Sequence, residues 1–316
     1  MSVFLAKRLI IFFATLLVAS LLVFLALEVL PGDPAHVILG MEAPESAIIA
    51  LRKELGLDHP AWQRYLVWIT DLAQGKFANS YTYGVSIWEL VRERLVITVP
   101  LAMMSMVIAT AIALGLGVYA AANHNRGGDV GVMSISQLGI AVPNFWLALM
   151  LILLFAVELG WFKSGGFPGW EAGLWPAFKA LILPSIALAT VLAAILARFT
   201  RSSVLEVMRE DFVRTARAKG LSRRATLWRH VMRNALIPVI TIMGLQFANL
   251  LAGTIVVESV FAIPGIGRLV FQAIGNRDIV VVRDVVLLLA AIVITVNFIV
   301  DMLYAVIDPR LKVHDL

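Results

Sequence analysis

Apolar runs of about 18 residues or more, the length that spans a bilayer core as helix, divide this chain into six long hydrophobic stretches joined by polar ones. They lie at Leu9–Leu30, Val96–Ala122, Val132–Leu159, Ala180–Ala197, Leu236–Val257 and Val285–Ile307. Each is predicted to be a transmembrane helix. Pro31-Gly32-Asp33-Pro34 ends the first, because a proline biases the residue before it away from helix. That first run is longer than the apolar core of a signal peptide, and Phe24 to Leu30 offers no small-residue cleavage site, so it reads as a retained span. Inside the third run, Pro143-Asn144 predicts a kink, since proline removes a backbone hydrogen bond. That bend could shape a pathway or serve packing.

The longest late polar interruption runs from Glu206 to Pro238 and carries Arg209, Arg214, Arg217, Lys219, Arg223, Arg224, Arg229 and Arg233. The spacing of Phe212, Thr215, Ala216 and Lys219, then of Leu227 and Val231, with Gly220 between the two sets, predicts two short helices joined at a glycine that ends the first. The pattern is that of a helical hairpin in water beside a membrane. Its small residues Thr215, Ala216 and Ala218 suggest a narrow face for insertion into a partner's groove. Its arginines would equally suit a helix lying on anionic lipid.

Composition agrees with the run pattern. The 316 residues are 60% hydrophobic and 15% charged, with a mean hydropathy of +0.90, too apolar for a soluble domain. The net charge of +5 could point to nucleic acid, but the basic residues concentrate between spans, where membrane topology accounts for them. Lys7, Arg8, Arg126, Arg198, Arg201, the hairpin cations, Arg310 and Lys312 fall on one side of a six-span arrangement; only Lys163, Lys179, Arg268, Arg277 and Arg283 fall in the short segments opposite. This bias places both termini and the hairpin inside. The resulting organisation is a first transmembrane helix over 1–30, an external helical subdomain over 31–95, a core of five transmembrane helices over 96–310 containing the cytoplasmic loop 198–235, and a cytoplasmic tail over 311–316. In the external subdomain Trp62, Trp68, Tyr81, Tyr83 and Trp88 suit an interfacial aromatic belt or a docking surface.

The hairpin also carries a family resemblance. Arg214-Thr215-Ala216, then Arg217-Ala218-Lys219 and Gly220, resembles the loop of ABC importer permeases in which an EAA motif, three residues and a glycine dock on the ATPase. The leading acid is replaced here. That departure, with His230, Arg233-Asn234-Ala235 and Pro238, is similar to the dipeptide/oligopeptide branch, as are the Pro31–Pro34 turn, the run Glu258 to Leu269 (ESVFAIPGIGRL) and the Asp308-Pro309-Arg310 ending. The resemblance implies an all-α polytopic fold of the type I importer kind in a bacterial or archaeal cytoplasmic (inner) membrane. It implies a second homologous permease subunit, two ATP-binding subunits that hold ATP and Mg, and an external substrate-binding protein. It further implies that Asp211, Phe212, Arg214, Thr215, Ala216, Ala218, Lys219 and Gly220 form the ATPase-coupling loop. Cargo of the branch is a di- or oligopeptide, or another small solute such as a nickel chelate, glutathione, an opine or a sugar.

Within the same run, Glu258, Phe261, Pro264, Gly265 and Gly267 mark an external gate loop, whose Pro264-Gly265 and Gly267 dictate a turned backbone. It could touch cargo or simply cap the helices. Gln246, Asn249 and Asn297 are candidates for a polar translocation path, and interhelical hydrogen bonding is the alternative account. Catalytic chemistry is not expected. The chain has no phosphate-cradling G-x-x-x-x-G-K-[ST], no nucleophile elbow, no metal-spaced histidines among His36, His59, His124, His230 and His314, and no cysteine. Neither a catalytic residue nor a metal or cofactor is expected in this chain. Asp301 is the one acid expected near the interior of a span, and the scarcity of such acids disfavours the alternative of a transporter driven by an ion gradient.

Overall fold

The computed structural model describes residues 2–29, 34–40, 43–54 and 56–307. The Pro31–Asp33 part of the first turn, the Asp308-Pro309-Arg310 ending and the tail 311–316 lie outside the described residues. In order, the helices are α1 (Ser2–Glu28), α2 (Pro34–Leu39), α3 (Glu45–Glu54), α4 (Ala61–Ala73), α5 (Ile87–Ala122), α6 (Gly127–Ala141), α7 (Asn144–Leu151), α8 (Leu174–Val207), α9 (Asp211–Ala218), α10 (Arg223–Thr226), α11 (Met232–Val260), α12 (Ile266–Gly275) and α13 (Ile279–Ile307). Among the described residues the only β-pairing is one isolated bridge, Asn79 with Ser86.

Among those residues, five helices are long and apolar enough to cross a membrane, and the count reaches six if the bent pair Gly127–Ala141 and Asn144–Glu158 makes one span. That pair corrects the expected kink: the two pieces meet at 98°. The cause is local. Val142, forced out of the helical region by the proline that follows, is extended at φ −81°, ψ 121°, and Pro143 is extended too at ψ 137°, so two successive residues leave the helix. Beyond α7 the chain continues as a π-helical stretch, Ile152–Glu158. The other long helices overrun the apolar runs. Helix α5 starts at Ile87 with charged turns ahead of its apolar part, α8 extends from Leu174 through Arg198 and Arg201, and α13 starts at Ile279. Hydropathy marks what lies in lipid, whereas backbone hydrogen bonding continues into water as long as no breaker intervenes.

Contacts divide the chain into two units, residues 1–96 with 268–295 and residues 97–267 with 296–316. In the first, α1 packs on α4 through Phe24, Tyr65 and Trp68, with ring centroids 5.4 to 6.2 Å apart and a Ser20–Tyr65 hydroxyl bond of 2.8 Å. The start of α13 joins them. Asp278 accepts Ser80 Oγ at 2.5 Å and the Thr82 N–H at 3.0 Å while capping the Val281 N–H at 3.3 Å.

In the second unit α8 is the central helix, with α6, α7 and α11 packed around it. Its most apolar window is 67% buried, against 11% for α1, so this chain's own packing surrounds α8 and leaves most of α1 uncovered. Close helix approach is built on glycine. A Cβ on Gly117 would stand 2.6 Å from Thr200 Cβ and 2.7 Å from the Ala197 carbonyl oxygen, and one on Gly244 would stand 2.6 Å from a Val300 methyl.

Candidate functional site

The hairpin between α8 and α11 has the two-helix form that its spacing predicts. Helix α9 ends in a Schellman motif: the Leu221 N–H bonds to the Ala216 carbonyl at 3.3 Å and the Gly220 N–H to that of Arg217 at 3.0 Å. Gly220 sits at φ +90° with open space where a Cβ would go, so its requirement is conformational rather than steric. Helix α10 then starts on Ser222, whose hydroxyl accepts the Ala225 N–H at 3.2 Å, and a π-helical stretch, Leu227–Val231, leads into α11.

The structure divides the expected narrow face of α9. Ala216 is buried together with Val213, while Phe212, Thr215 and Ala218 are exposed. Successive helical positions lie about 100° apart, so Thr215, Ala216 and Ala218 cannot share one face, whereas Val213 and Ala216, three apart, do. Val213 packs into a core formed by Val118 and Ala121 of α5, Val204 of α8, Val231 at the end of the π-helical stretch, and Met232 and Ala235 at the start of α11. Ser203 Oγ adds a 2.8 Å bond to the Ala235 carbonyl. The base of the hairpin is therefore fused to the ends of three long helices. Its outer side carries Arg209, Arg214, Arg217, Lys219, Arg223 and Arg224, all exposed. The Arg214–Asp211 pair at 3.2 Å is nearly fully solvated and contributes little.

Beside this core stands an ion cluster that the sequence did not single out. Arg201 of α8 chelates buried Asp129 of α6, Nε to Oδ1 at 2.5 Å and Nη2 to Oδ2 at 2.7 Å. The Asn125 N–H gives Oδ2 a further bond at 3.0 Å, and His124 Nδ1 lies 3.2 Å from both the carboxylate and the guanidinium. Asn125 takes φ +61° in the turn between α5 and α6. The spacing Asn125–Asp129 at a helix start is the one clue the sequence carried.

At the opposite end of α11, the expected gate loop is closely built. Glu258 is completely buried, accepting Thr98 Oγ1 at 2.7 Å, while that hydroxyl oxygen accepts the Ile266 N–H at 2.9 Å. A Cβ on Gly265 would stand 2.3 Å from the carboxyl carbon and both oxygens of Glu258, and one on Gly267 would lie 2.5 Å from Ile255 Cα. Both glycines are thus required by close approach. Buried Phe261 offers its carbonyl to the Gly166 N–H at 2.8 Å, fastening the 160–173 loop to the turn, and Ala262 is held at φ +51°. Pro264 follows Ile263 at the bottom of the same turn. Glu258 stands at the end of its span rather than in its interior, so it leaves the expectation for Asp301 where it was. It lies in the last turn of an apolar helix, and Asp129 and Asp284 are likewise buried acids on long helices. Hydropathy places an acid at the end of a run by default, and so missed that the loop folds back over it.

The three neutral path candidates are partly brought together. Gln246 Oε1 accepts Asn249 Nδ2 at 2.8 Å within α11. Asn297 is half-buried on α13, one turn from Val300, the residue against which Gly244 of α11 packs. No groups of acids and histidines suited to a metal ion occur among the described residues.

Long apolar helices, with a basic hairpin fused to the ends of three of them and a tight loop at the far end of α11, mark a multi-pass membrane protein. Residues 113–313 match the family model of the binding-protein-dependent transport system inner membrane component, and residues 1–102 match the N-terminal region model of such components. The chain belongs to this family and is a permease-type subunit of an ABC importer in the inner membrane.

Its relatives match end to end. The chain is 37% identical over 312 residues to the probable peptide ABC transporter permease protein y4tP of Sinorhizobium fredii, covering 99% of this chain and 100% of the relative. It is 39% identical over 326 residues to the dipeptide transport system permease protein DppB of Alkalihalophilus pseudofirmus, covering 97% and 98%. With the glutathione transport system permease protein GsiC of Salmonella typhi it shares 41% over 306 residues, covering 97% of each. Among solved structures, an inward-facing form of the MetNI methionine ABC transporter superposes with a TM-score of 0.59 at 19% identity, over 70% of this chain and 97% of the other, a likeness of fold alone.

Proposed function

We propose that the chain forms half of a translocation pathway for di- or oligopeptides, with six spans, both termini and the α9–α10 hairpin in the cytoplasm, and residues 31–95 outside. Its partners in this reading are a second homologous permease, two ATP-binding subunits that supply ATP and Mg, and an external binding protein that delivers the cargo. The chain itself works without a cofactor. The observation that carries the reading is the fusion of the hairpin to the ends of α5, α8 and α11 through Val213, Val204, Val118 and Met232. A push on α9 must move three long helices, because a close-packed core transmits displacement rather than absorbing it. The exposed residues Asp211, Phe212, Arg214, Thr215, Ala218 and Lys219 then meet the ATPase, Ala216 anchors the helix from behind, and Gly220 sets its end.

On the far side, the Glu258–Thr98 clasp holds the Phe261–Gly267 turn as a rigid lip at the pathway's mouth, with Gln246, Asn249 and Asn297 as polar lining. Peptide cargo is supported by the peptide and dipeptide systems named among the relatives; glutathione, itself a tripeptide, falls in the same chemical class. The test is ATP hydrolysis by this permease co-purified in lipid with co-expressed partner subunits, with the binding protein empty or loaded from a peptide panel. Stimulation by a loaded form supports the reading and names the cargo. Hydrolysis indifferent to the binding protein, or failure of any ATPase to co-purify, overturns it.

A further inference from the structure

Helices α6 and α7 contribute no residue to the core that fuses the hairpin to α5, α8 and α11, yet the start of α7 stands against α11. Asn144 Nδ2 lies 3.3 Å from where a Cβ on Gly253 would sit, and Gly253 is about one turn beyond Asn249 on the same face of α11. How the bent pair follows the hairpin therefore depends on what ties it to α8, the helix on which α6 chiefly packs. Most of that tie permits sliding. Gly139 faces α8 so closely that a Cβ there would stand 3.3 Å from the Ala194 methyl, and contacts between small apolar groups let one helix shear along another. Gln137 accepts Arg198 Nη2 at 2.7 Å, but this bond is exposed, and water competes for both partners.

The contact that fixes register is the pair of Arg201 with Asp129. Asp129 is only 4% exposed, and the guanidinium meets it through two parallel bonds, at 2.5 and 2.7 Å. Two such bonds set orientation as well as distance. The same carboxylate accepts the Asn125 N–H at 3.0 Å, so one group joins the turn after α5, the start of α6 and α8. Arg201 stands one turn from Val204, a member of the hairpin core. Stability alone does not call for charge at this place, because an apolar pair of similar volume packs as well or better when buried. Register does call for it. From Asp129 to the break at Val142, α6 runs about 20 Å at 1.5 Å per residue, far enough to carry a displacement deep into a hydrocarbon core about 30 Å thick.

We propose that Arg201 and Asp129 are positioning residues for transport. The pair pins α6 to α8, so that displacement of the hairpin swings the bent pair and shifts the start of α7 along the Asn249–Gly253 face of α11. This rests on the permease function proposed above. The pair neither docks the ATPase nor meets cargo; it sets how much of the hairpin's motion reaches the polar face of α11.

The experiment uses the full complex in lipid nanodiscs, with Phe145→Cys on α7 and Leu245→Cys on α11, both exposed positions, in a chain that has no cysteine of its own and with cysteine-free partner subunits. Nitroxide labels report the distance between the two helices by electron paramagnetic resonance, without nucleotide and with ATP trapped by vanadate. The two states should differ by about 2–5 Å, the scale of helix shifts in switching proteins. Asp129→Asn combined with Arg201→Met keeps the volume and an acceptor for the Asn125 N–H but removes the pin. In that double variant melting should match the parent and ATP hydrolysis should persist, while the shift largely vanishes. Arg201→Lys, limited to a single contact, should give an intermediate shift. A pair that served stability alone would change the melt and leave the difference between nucleotide states intact. The pin is overturned if the full shift survives in whichever of the two variants assembles, or if the labelled parent hydrolyses ATP with no shift. A parent complex that hydrolyses no ATP overturns the importer reading instead, so the two failures are distinguishable.

Discussion

Two buried acids show how single residues hold this protein together. Glu258 is surrounded by Thr98, Gly265 and Gly267, so a methyl group added at Gly265 has to displace a carboxyl group that is itself fixed. Gly265→Ala should lower stability by about 1–3 kcal/mol, the usual cost of overpacking, seen as an earlier melting of the detergent-solubilised complex. Glu258→Gln, which keeps an acceptor for the Thr98 hydroxyl, should cost less than Glu258→Ala. If the Gly265→Ala melt is unchanged, the clasp is loose and the rigid-lip idea fails. Asp129 and Arg201 make the second case. Removing one partner strands the other, and Arg201→Ala should cost about 3 kcal/mol; Arg201→Lys should recover only part, because an ammonium cannot form the two parallel bonds seen at 2.5 and 2.7 Å. Neither cluster was legible as such in the sequence, since their members stand 160 and 72 positions apart and no local pattern joins them.

At the level of the element, the hairpin was the most legible part of the chain. Gly220 after a helical period and Ser222 ahead of the next helix are local signals, and both act in the structure as a C-terminal and an N-terminal cap. What periodicity left open was which side of an eight-residue helix faces the bundle, because Phe212 and Val213 are equally apolar candidates and only packing against α5, α8 and α11 decides between them. That decision separates two substitutions. Ala216→Trp should fail to accumulate, because an indole cannot replace a methyl group at a buried position of α9 without displacing its neighbours. Ala218→Trp, on the exposed side, should reach the membrane at normal levels and melt normally, yet lose binding-protein-stimulated ATP hydrolysis. Normal stimulation in Ala218→Trp would mean that this face of α9 meets no partner. The break at Val142-Pro143 was half legible: proline announced a disturbance, but its size depends on the preceding residue also turning extended, which a residue list does not state.

For the whole molecule the open quantity is parity. If α6, the break and the Asn144–Glu158 segment together cross the membrane once, the turn at Arg126 and the hairpin at Lys219 lie on the same side and Lys163 lies opposite. If the bent pair instead dips in and returns, Arg126 and Lys163 share a side, and α8 then carries the hairpin to the other. The distribution of positive charge favours a crossing, because it gathers Arg126, Arg198, Arg201 and the hairpin cations on one face, where the cytoplasm retains them. A 98° bend is compatible with a crossing only where protein surrounds the freed backbone groups, and the packing of both α6 and α7 on the buried helix α8 provides that surrounding. The chain contains no cysteine, so Arg126→Cys, Lys163→Cys and Lys219→Cys can be made singly, each at an exposed position. A membrane-impermeant maleimide applied to intact cells should label Cys at 163 alone, and cell rupture should open 126 and 219 together. Labelling of 219 in intact cells, with 126 and 163 protected, would make the bent pair re-entrant, reverse every segment that follows it, and remove the hairpin from the side on which ATP is found.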